Sequence, residues 1–320
     1  MASISAVVSI SHQESFRNSG FTRTMKPLDT HSELIKPDFK DLVSPSKLRR
    51  LGELLRISVV SGISTVRHAG WEQPDAISIG TGLGCLADTQ KFLNGYVEED
   101  GSSALSPTPF IQSTHNTIGG LLSLLLVNHG YNMTHSQNSL SFEHALIDGL
   151  SLVHTGTKKV LVGASDEAID ELNTIGTLLN IPTDFLTSAS SFFALETQDK
   201  DHVEIYACQA YEKSEDHLLQ VGVFLDENGL RIEDIDLILK SGGRPLMSSD
   251  YNGDQVDYLP YTGQYFTSSA LATHFAHDVI VNQSTEFGGR AIKKAPRKVL
   301  VVNNILPKKL GLTLVCQNEA

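Results

Sequence analysis

Four short apolar runs set the tightest limit on what this chain can fold into: Asp75-Ala-Ile-Ser-Ile-Gly, Val160-Leu-Val-Gly-Ala, Ile235-Asp-Leu-Ile-Leu and Lys298-Val-Leu-Val-Val. Each is rich in β-branched residues and too short for a stable helix. Apart from single polar residues they do not alternate, so they read as strands buried on both faces, which is the mark of a sheet covered by helices on each side. The segments between them carry helical spacing. Leu48, Leu51, Leu55, Val59 and Ile63 predict one long amphipathic helix from Ser44-Pro45-Ser46 to about His68, with Gly70 placed as its C-cap. Further helices are expected over 112–128, 138–154, 218–225 and 267–281. Strands are expected over 4–10, 191–196, 203–208 and 312–316, and loop from there to about 43 after the first of them. Helix and strand alternate in two comparable halves with no low-complexity linker, so a layered α/β unit of two pseudo-repeated halves is expected.

At 320 residues, 40% of them apolar, the chain can bury a large continuous core. Its formal net charge of -12 argues against nucleic acid as a partner, because that binding rests on phosphate neutralisation by Lys and Arg. Cys85, Cys208 and Cys316 lie too far apart for a CxxC or zinc spacing, and they suggest no disulfide framework. The start of the chain lacks a basic, apolar signal sequence, and the run 121–127 is too short to span a bilayer. A cytoplasmic protein without membrane contact is expected, and the sequons at Asn132 and Asn282 are read as chance matches.

Gly80-Thr-Gly82-Leu-Gly84-Cys85 follows the first buried run. A dinucleotide fingerprint would need glycine where Cys85 stands, so a plain tight turn is the preferred reading. Cys85 could be a nucleophile, but a cysteine at a strand end is more often a small buried apolar residue. His144 and Asp148 share a helix face, a geometry compatible with a hydrogen bond or ion pair. The histidines make no HExxH pattern. Basic residues gather at Lys47, Arg49, Arg50 and Arg56, and again at Arg290, Lys293, Lys294, Arg297, Lys298, Lys308 and Lys309. Solvated faces are the plain reading of both groups, and a footprint for an acidic partner the sharper one.

Several segments in order resemble the β-ketoacyl synthases, in particular the ketosynthase-like proteins of type II fatty-acid and aryl-polyene or flexirubin-type systems. The likeness runs through Leu48-Arg49-Arg50, the 75–84 run, Leu105-Ser-Pro-Thr-Pro-Phe-Ile-Gln-Ser-Thr-His-Asn, Gly130-Tyr-Asn-Met-Thr, Leu161-Val-Gly-Ala-Ser-Asp-Glu and Ile235-Asp-Leu-Ile. It is strong over 40–170 and weak after 240. It implies the five-layered α-β-α-β-α sandwich of thiolase-like proteins, with a first half over 1–185 and a shortened second half over 186–320.

The resemblance also implies a catalytic cysteine and two histidines, which this chain lacks. The cysteine position falls on Ser139, or on Gln137 if the register slips by two. The first histidine position holds Ser241. The second belongs in a Lys-x-x-Thr-Gly-His segment that here reads Leu259-Pro-Tyr-Thr262-Gly263-Gln264, and Asn303-Asn304-Ile-Leu-Pro replaces the closing glycine-rich loop. Without thiolate and imidazole donors, little condensing chemistry is expected. The resemblance therefore implies a chain-length-factor-like subunit, paired with a ketosynthase or with itself and served by an acyl carrier protein. No cofactor of its own is implied, since acyl-phosphopantetheine would arrive on the carrier. The alternative is a divergent synthase or acyltransferase using Ser139 or Cys85.

Overall fold

The computed structural model describes residues 1–98, 106–179, 186–197, 202–242, 246–247 and 251–318. Leu105, Gly243 and the expected division after 185 fall on or beside residues outside that set. The strands are β1 (Ala2–Ile10), β2 (Ala76–Gly80), β3 (Tyr131–His135), β4 (Lys159–Asp166), β5 (Ala189–Glu196), β6 (Val203–Tyr211), β7 (Leu237–Lys240), β8 (Asp254–Asp257), a small hairpin of β9 (Glu286–Phe287) and β10 (Arg290–Ala291), β11 (Lys298–Asn303) and β12 (Leu310–Gln317). The helices are α1 (Pro45–Leu48), α2 (Glu53–His68), α3 (Leu86–Glu98), α4 (Pro107–Gln112), α5 (Thr117–Leu126), α6 (Ser141–His154), α7 (Asp170–Leu179), α8 (His217–Glu227), α9 (Leu259–Thr262) and α10 (Ser268–Val281).

The strand order is β3-β2-β4-β5-β1-β6-β12-β11-β7-β8. It contains one pattern twice. In the first half β1 runs antiparallel to β5, β5 antiparallel to β4, and β4, β2 and β3 are parallel neighbours. In the second half β6, β12, β11, β7 and β8 repeat those relations in the same order. The halves meet where β1 pairs β6 at Ala2↔Ile205 and Ser3↔Glu204. The repeat takes fewer residues the second time, so the second half is shortened.

Three apolar clusters define the layers. One lies between the two halves of the sheet, where Phe142, Ala145 and Leu146 of α6 and Leu271, Phe275 and Val279 of α10 pack against residues of both. A second sits outside the first half under α2 and α5, and the third outside the second half under α8. Helix, sheet, helix, sheet, helix is the five-layered sandwich. A close approach fixes the middle layer: a Cβ on Gly80 would lie 2.4 Å from the backbone oxygen of Ser141, so only glycine lets the end of β2 seat the start of α6.

Two expected helices are broken. The segment 48–68 is α1 and α2, parted at Gly52, whose extended backbone (φ -60°, ψ 167°) caps α2. The Arg56 guanidinium reaches back to donate to the Leu48 and Arg49 carbonyls freed there. The segment 112–128 holds α5 alone: α4 ends at Gln112, and the helix begins again at Thr117 after a turn in which the Thr114 hydroxyl bonds Asn116 and Thr117 side chains and competes with the helix ladder. His144 and Asp148 do not pair. His144 faces Glu212 at 3.5 Å, whereas Asp148 accepts from Ser78 and Tyr131 and lies 3.2 Å from His135.

Candidate functional site

At the C-terminal ends of β4 and β7 the second and first halves approach around a cavity of about 530 Å³. Its wall is mainly apolar, with Leu172 and Ile175 from α7, Leu186, Leu259, and Ile305 and Leu306 from the loop after β11. Ser241 and Gln264 both line it, so two of the three positions singled out in the sequence come together.

Each is placed by its local backbone. Ser241 ends β7, held by its amide on Val302 O at 3.0 Å, and its hydroxyl donates to Asn304 Oδ1 at 2.7 Å. The amide of Asn304 donates back to Ser241 Oγ at 2.8 Å. Gln264 follows Gly263, which turns the chain out of α9 with φ 72°. A side chain on Gly263 would meet Thr187 Cγ2 at 2.2 Å, and Thr187 N binds Gln264 O at 3.2 Å. Gln264 is part of the cavity wall.

Ser139 is elsewhere. It sits in a single 3-10 turn over Asn138–Leu140 ahead of α6, entered through Asn138 at φ 52°. The residue is 1% exposed, its Oγ lacks a hydrogen-bond partner, and it is not part of the cavity wall. Its carbonyl accepts from Asn303 Nδ2 at 2.6 Å. Gln137, the alternative register, is exposed.

The glycine turn after β2 is already saturated. Asp166 Oδ1 accepts from Thr81 Oγ1 (3.0 Å), Gly82 N (2.9 Å) and Leu83 N (3.1 Å), and Oδ2 accepts from Thr267 N and Oγ1. Amides that a phosphate would need are held by a carboxylate, so the turn is a structural one. Cys85 is 1% exposed, and its thiol is pushed up by burial and by the nearby Glu167, Asp88 and Asp166 carboxylates. A thiol so placed stays protonated and is a poor nucleophile.

Sequence reasoning missed Asp166 and Glu167 as parts of this site. Burial, with help from Asp88 and Glu53, pushes the Glu167 carboxyl up to about 7, against the pull of the Ala87 amide that it accepts at 2.9 Å. The available signal was two acids directly after a buried apolar run, where a strand end opens onto a pocket. Glu143 was missed as well. It is 1% exposed and pushed up to about 7 by burial, with Asn303 Nδ2 at 2.9 Å and Ser269 pulling it down. Among the described residues, no group of three or more His, Cys, Asp or Glu could hold a metal ion, and no helix is long and apolar enough to cross a membrane.

Residues 43–181 match the family model described as the β-ketoacyl synthase N-terminal domain. Over that stretch the sequence resembles the β-ketoacyl synthases. The ketosynthase-like fold extends over the remainder. The ishigamide ketosynthase/chain length factor is similar over 99% of both chains, with a TM-score of 0.82 at 13% identity. A type II polyketide-synthase acyl-carrier protein in complex with its ketosynthase, bound to the hexaketide, gives 0.74 at 13% identity over 99% of each chain. The ketosynthase ApeO in complex with its chain length factor ApeC, from Xenorhabdus doucetiae, gives 0.73 at 12% identity, covering 99% of this chain and 98% of that one. Among curated protein sequences none matches. The thiolase-like architecture implied by the sequence resemblance is thus the one observed.

Proposed function

We propose that this ketosynthase-like chain is a chain-length-factor-like partner subunit, which pairs with an active ketosynthase in type II fatty-acid or polyketide biosynthesis and has no condensing activity of its own. One observation carries the reading: the cavity at the strand ends is lined by Ser241 and Gln264, and among its described lining residues there is neither a histidine nor a cysteine. Decarboxylative condensation needs a thiolate to hold the acyl group and donors fixed beside the enolate. Ser241 is engaged with Asn304, and Gln264 can donate but cannot exchange a proton near neutral pH.

The edge of the sheet supports a partner. β3 is the terminal strand of the first half, and Tyr131 and Met133 on it are exposed. An unpaired edge with apolar side chains is a template for another chain. Leu124 on α5, the helix packed beside β3, is exposed as well. For an acidic carrier protein, Arg49, Arg50 and Arg56 line a concave surface beside Phe39 and Leu48. The second basic group fits a carrier less well, because Lys294 pairs with Asp236, Lys308 with Glu215 and Lys309 with Glu212. The acyl group would arrive on the carrier's phosphopantetheine arm.

Co-expression with a ketosynthase from the same gene neighbourhood, followed by sizing chromatography, tests the reading. A mixed dimer is expected. Persistent recovery of the two chains apart would overturn it. Intact-mass measurement after incubation with acyl carrier protein thioesters separates the enzymatic alternative, which requires an acyl adduct that disappears in Ser139→Ala.

A further inference from the structure

We propose that α7 (Asp170–Leu179) is a lid, an unfastened helix that closes over the apolar cavity when an uncharged apolar molecule occupies it. The helix forms one wall of that cavity through Leu172, Ile175 and Gly176. Leu172, Ile175 and Leu178 recur every third position, the stripe of a helix that packs on an apolar surface. The stripe is only partly covered. Leu172 is half-buried, but Ile175 is 48% and Leu178 77% exposed.

Nothing polar fixes the helix in that position. Among the described residues, no hydrogen bond or ion pair joins α7 to another helix or strand, and the Thr177 hydroxyl turns back to the Asn173 carbonyl of its own helix at 2.9 Å. The other walls are tied down. Leu186 bridges to Gln264, Thr187 Oγ1 donates to the Thr262 carbonyl at 2.9 Å, and Ser241 and Asn304 hold each other. Propensity does not hold α7 either: ten residues that include Asn173, Thr174, Gly176 and Thr177 make a weak helix, which depends on packing. Motion has a fixed point to start from, because Asp166 is held by its donors and Ala168 N donates to Ser188 Oγ at 3.0 Å. An apolar molecule in the cavity supplies the surface that the stripe lacks, and closure then takes Ile175 and Leu178 out of water. The molecule is uncharged, since no Lys, Arg or His is among the described residues of the wall, and Asp166 and Glu167 already accept from backbone amides.

The inference does not rest on the partner-subunit reading, and the chain alone tests it with 1-decanol as the probe. Leu178→Cys is labelled with acrylodan, whose emission moves to the blue in apolar surroundings, and Leu219→Cys on α8 is the control. Peptide mass spectrometry checks that only the introduced thiol is labelled. Decanol should shift the emission at position 178 to the blue, saturably, and leave position 219 unchanged. In unlabelled wild type, the amides of α7 should exchange at least about tenfold faster than those of α6, and decanol should slow them at least about tenfold. No saturable response at α7 would overturn the proposal. So would an α7 as protected as α6 without decanol, or an equal shift at position 219, which would mean general uptake of the alcohol. An equal response to sodium decanoate would overturn the assignment of an uncharged occupant.

Discussion

Ser241 and Asn304 hold each other by two hydrogen bonds, hydroxyl to Oδ1 at 2.7 Å and backbone amide to Oγ at 2.8 Å. At the position where the ketosynthase resemblance implies an imidazole, this chain has a clasp that ties the end of β7 to the loop after β11. Ser241→Ala leaves a half-buried amide and an amide oxygen unpaired. A loss of about 1–3 kcal/mol is expected, read as a lower midpoint in urea with an unchanged slope.

Asp166 joins three segments that are distant in sequence: the turn after β2, the end of β4 and the start of α10. It does so by accepting five hydrogen bonds, from Thr81, Gly82, Leu83 and twice from Thr267. Burial pushes its carboxyl up, and the donors pull it down. Asp166→Asn would set an NH₂ group against some of those donors. The expected cost is roughly 3 kcal/mol or more, larger than for Ser241→Ala, and thermal melts of the two variants side by side check the order.

Stability should depend on pH from both sides. The Glu143 carboxyl titrates near 4.5 when unfolded and about 7 when folded, so the unfolded chain holds fewer protons between those values. Stability is therefore lost as pH rises from 4.5 through 7, with a ceiling of roughly 3 kcal/mol. Burial and the nearby His68 lower His277 from 6.5 to about 4, so the unfolded chain holds more protons there, and stability is lost as pH falls below 6.5 toward 4. Glu167, pushed up to about 7 as well, adds to the first slope, so Glu143→Gln should reduce that slope without abolishing it and should keep the second. Denaturation midpoints at pH 5, 6, 7 and 8 would show it, and an unchanged profile would remove Glu143 as the cause.

The strands were legible where one side-chain pattern decided them: Val160 to Ala164 and Val299 to Val302 are apolar on both faces and lie inside the sheet. β3 was not, because Tyr131 to His135 is an exposed edge with no apolar alternation to announce it. Helix boundaries failed where a glycine or a hydroxyl competed locally, at Gly52 and Thr114, which periodicity alone does not weigh. In the site, Gln264 could be located because Thr262-Gly263 fixes the turn before it. Glu143 carries no motif. Its importance comes from what surrounds it in three dimensions, burial on α6 against Asn303 and Ser269 of α10.

The edge strand gives the most direct test of association. Met133 is 44% exposed on β3 and its side chain takes no part in the network around Asp148, whereas Tyr131 donates to Asp148 at 2.9 Å. Met133→Arg should therefore leave the fold intact, with a change in stability within about 0.5 kcal/mol as for other surface positions. A charge on the strand should oppose pairing of β3 with another chain. Sizing chromatography after co-expression of the ketosynthase with wild type or variant should show the variant recovered apart from the ketosynthase, with an unchanged melting temperature for the purified variant. A variant that joins the mixed dimer as the wild type does would move the interface away from β3.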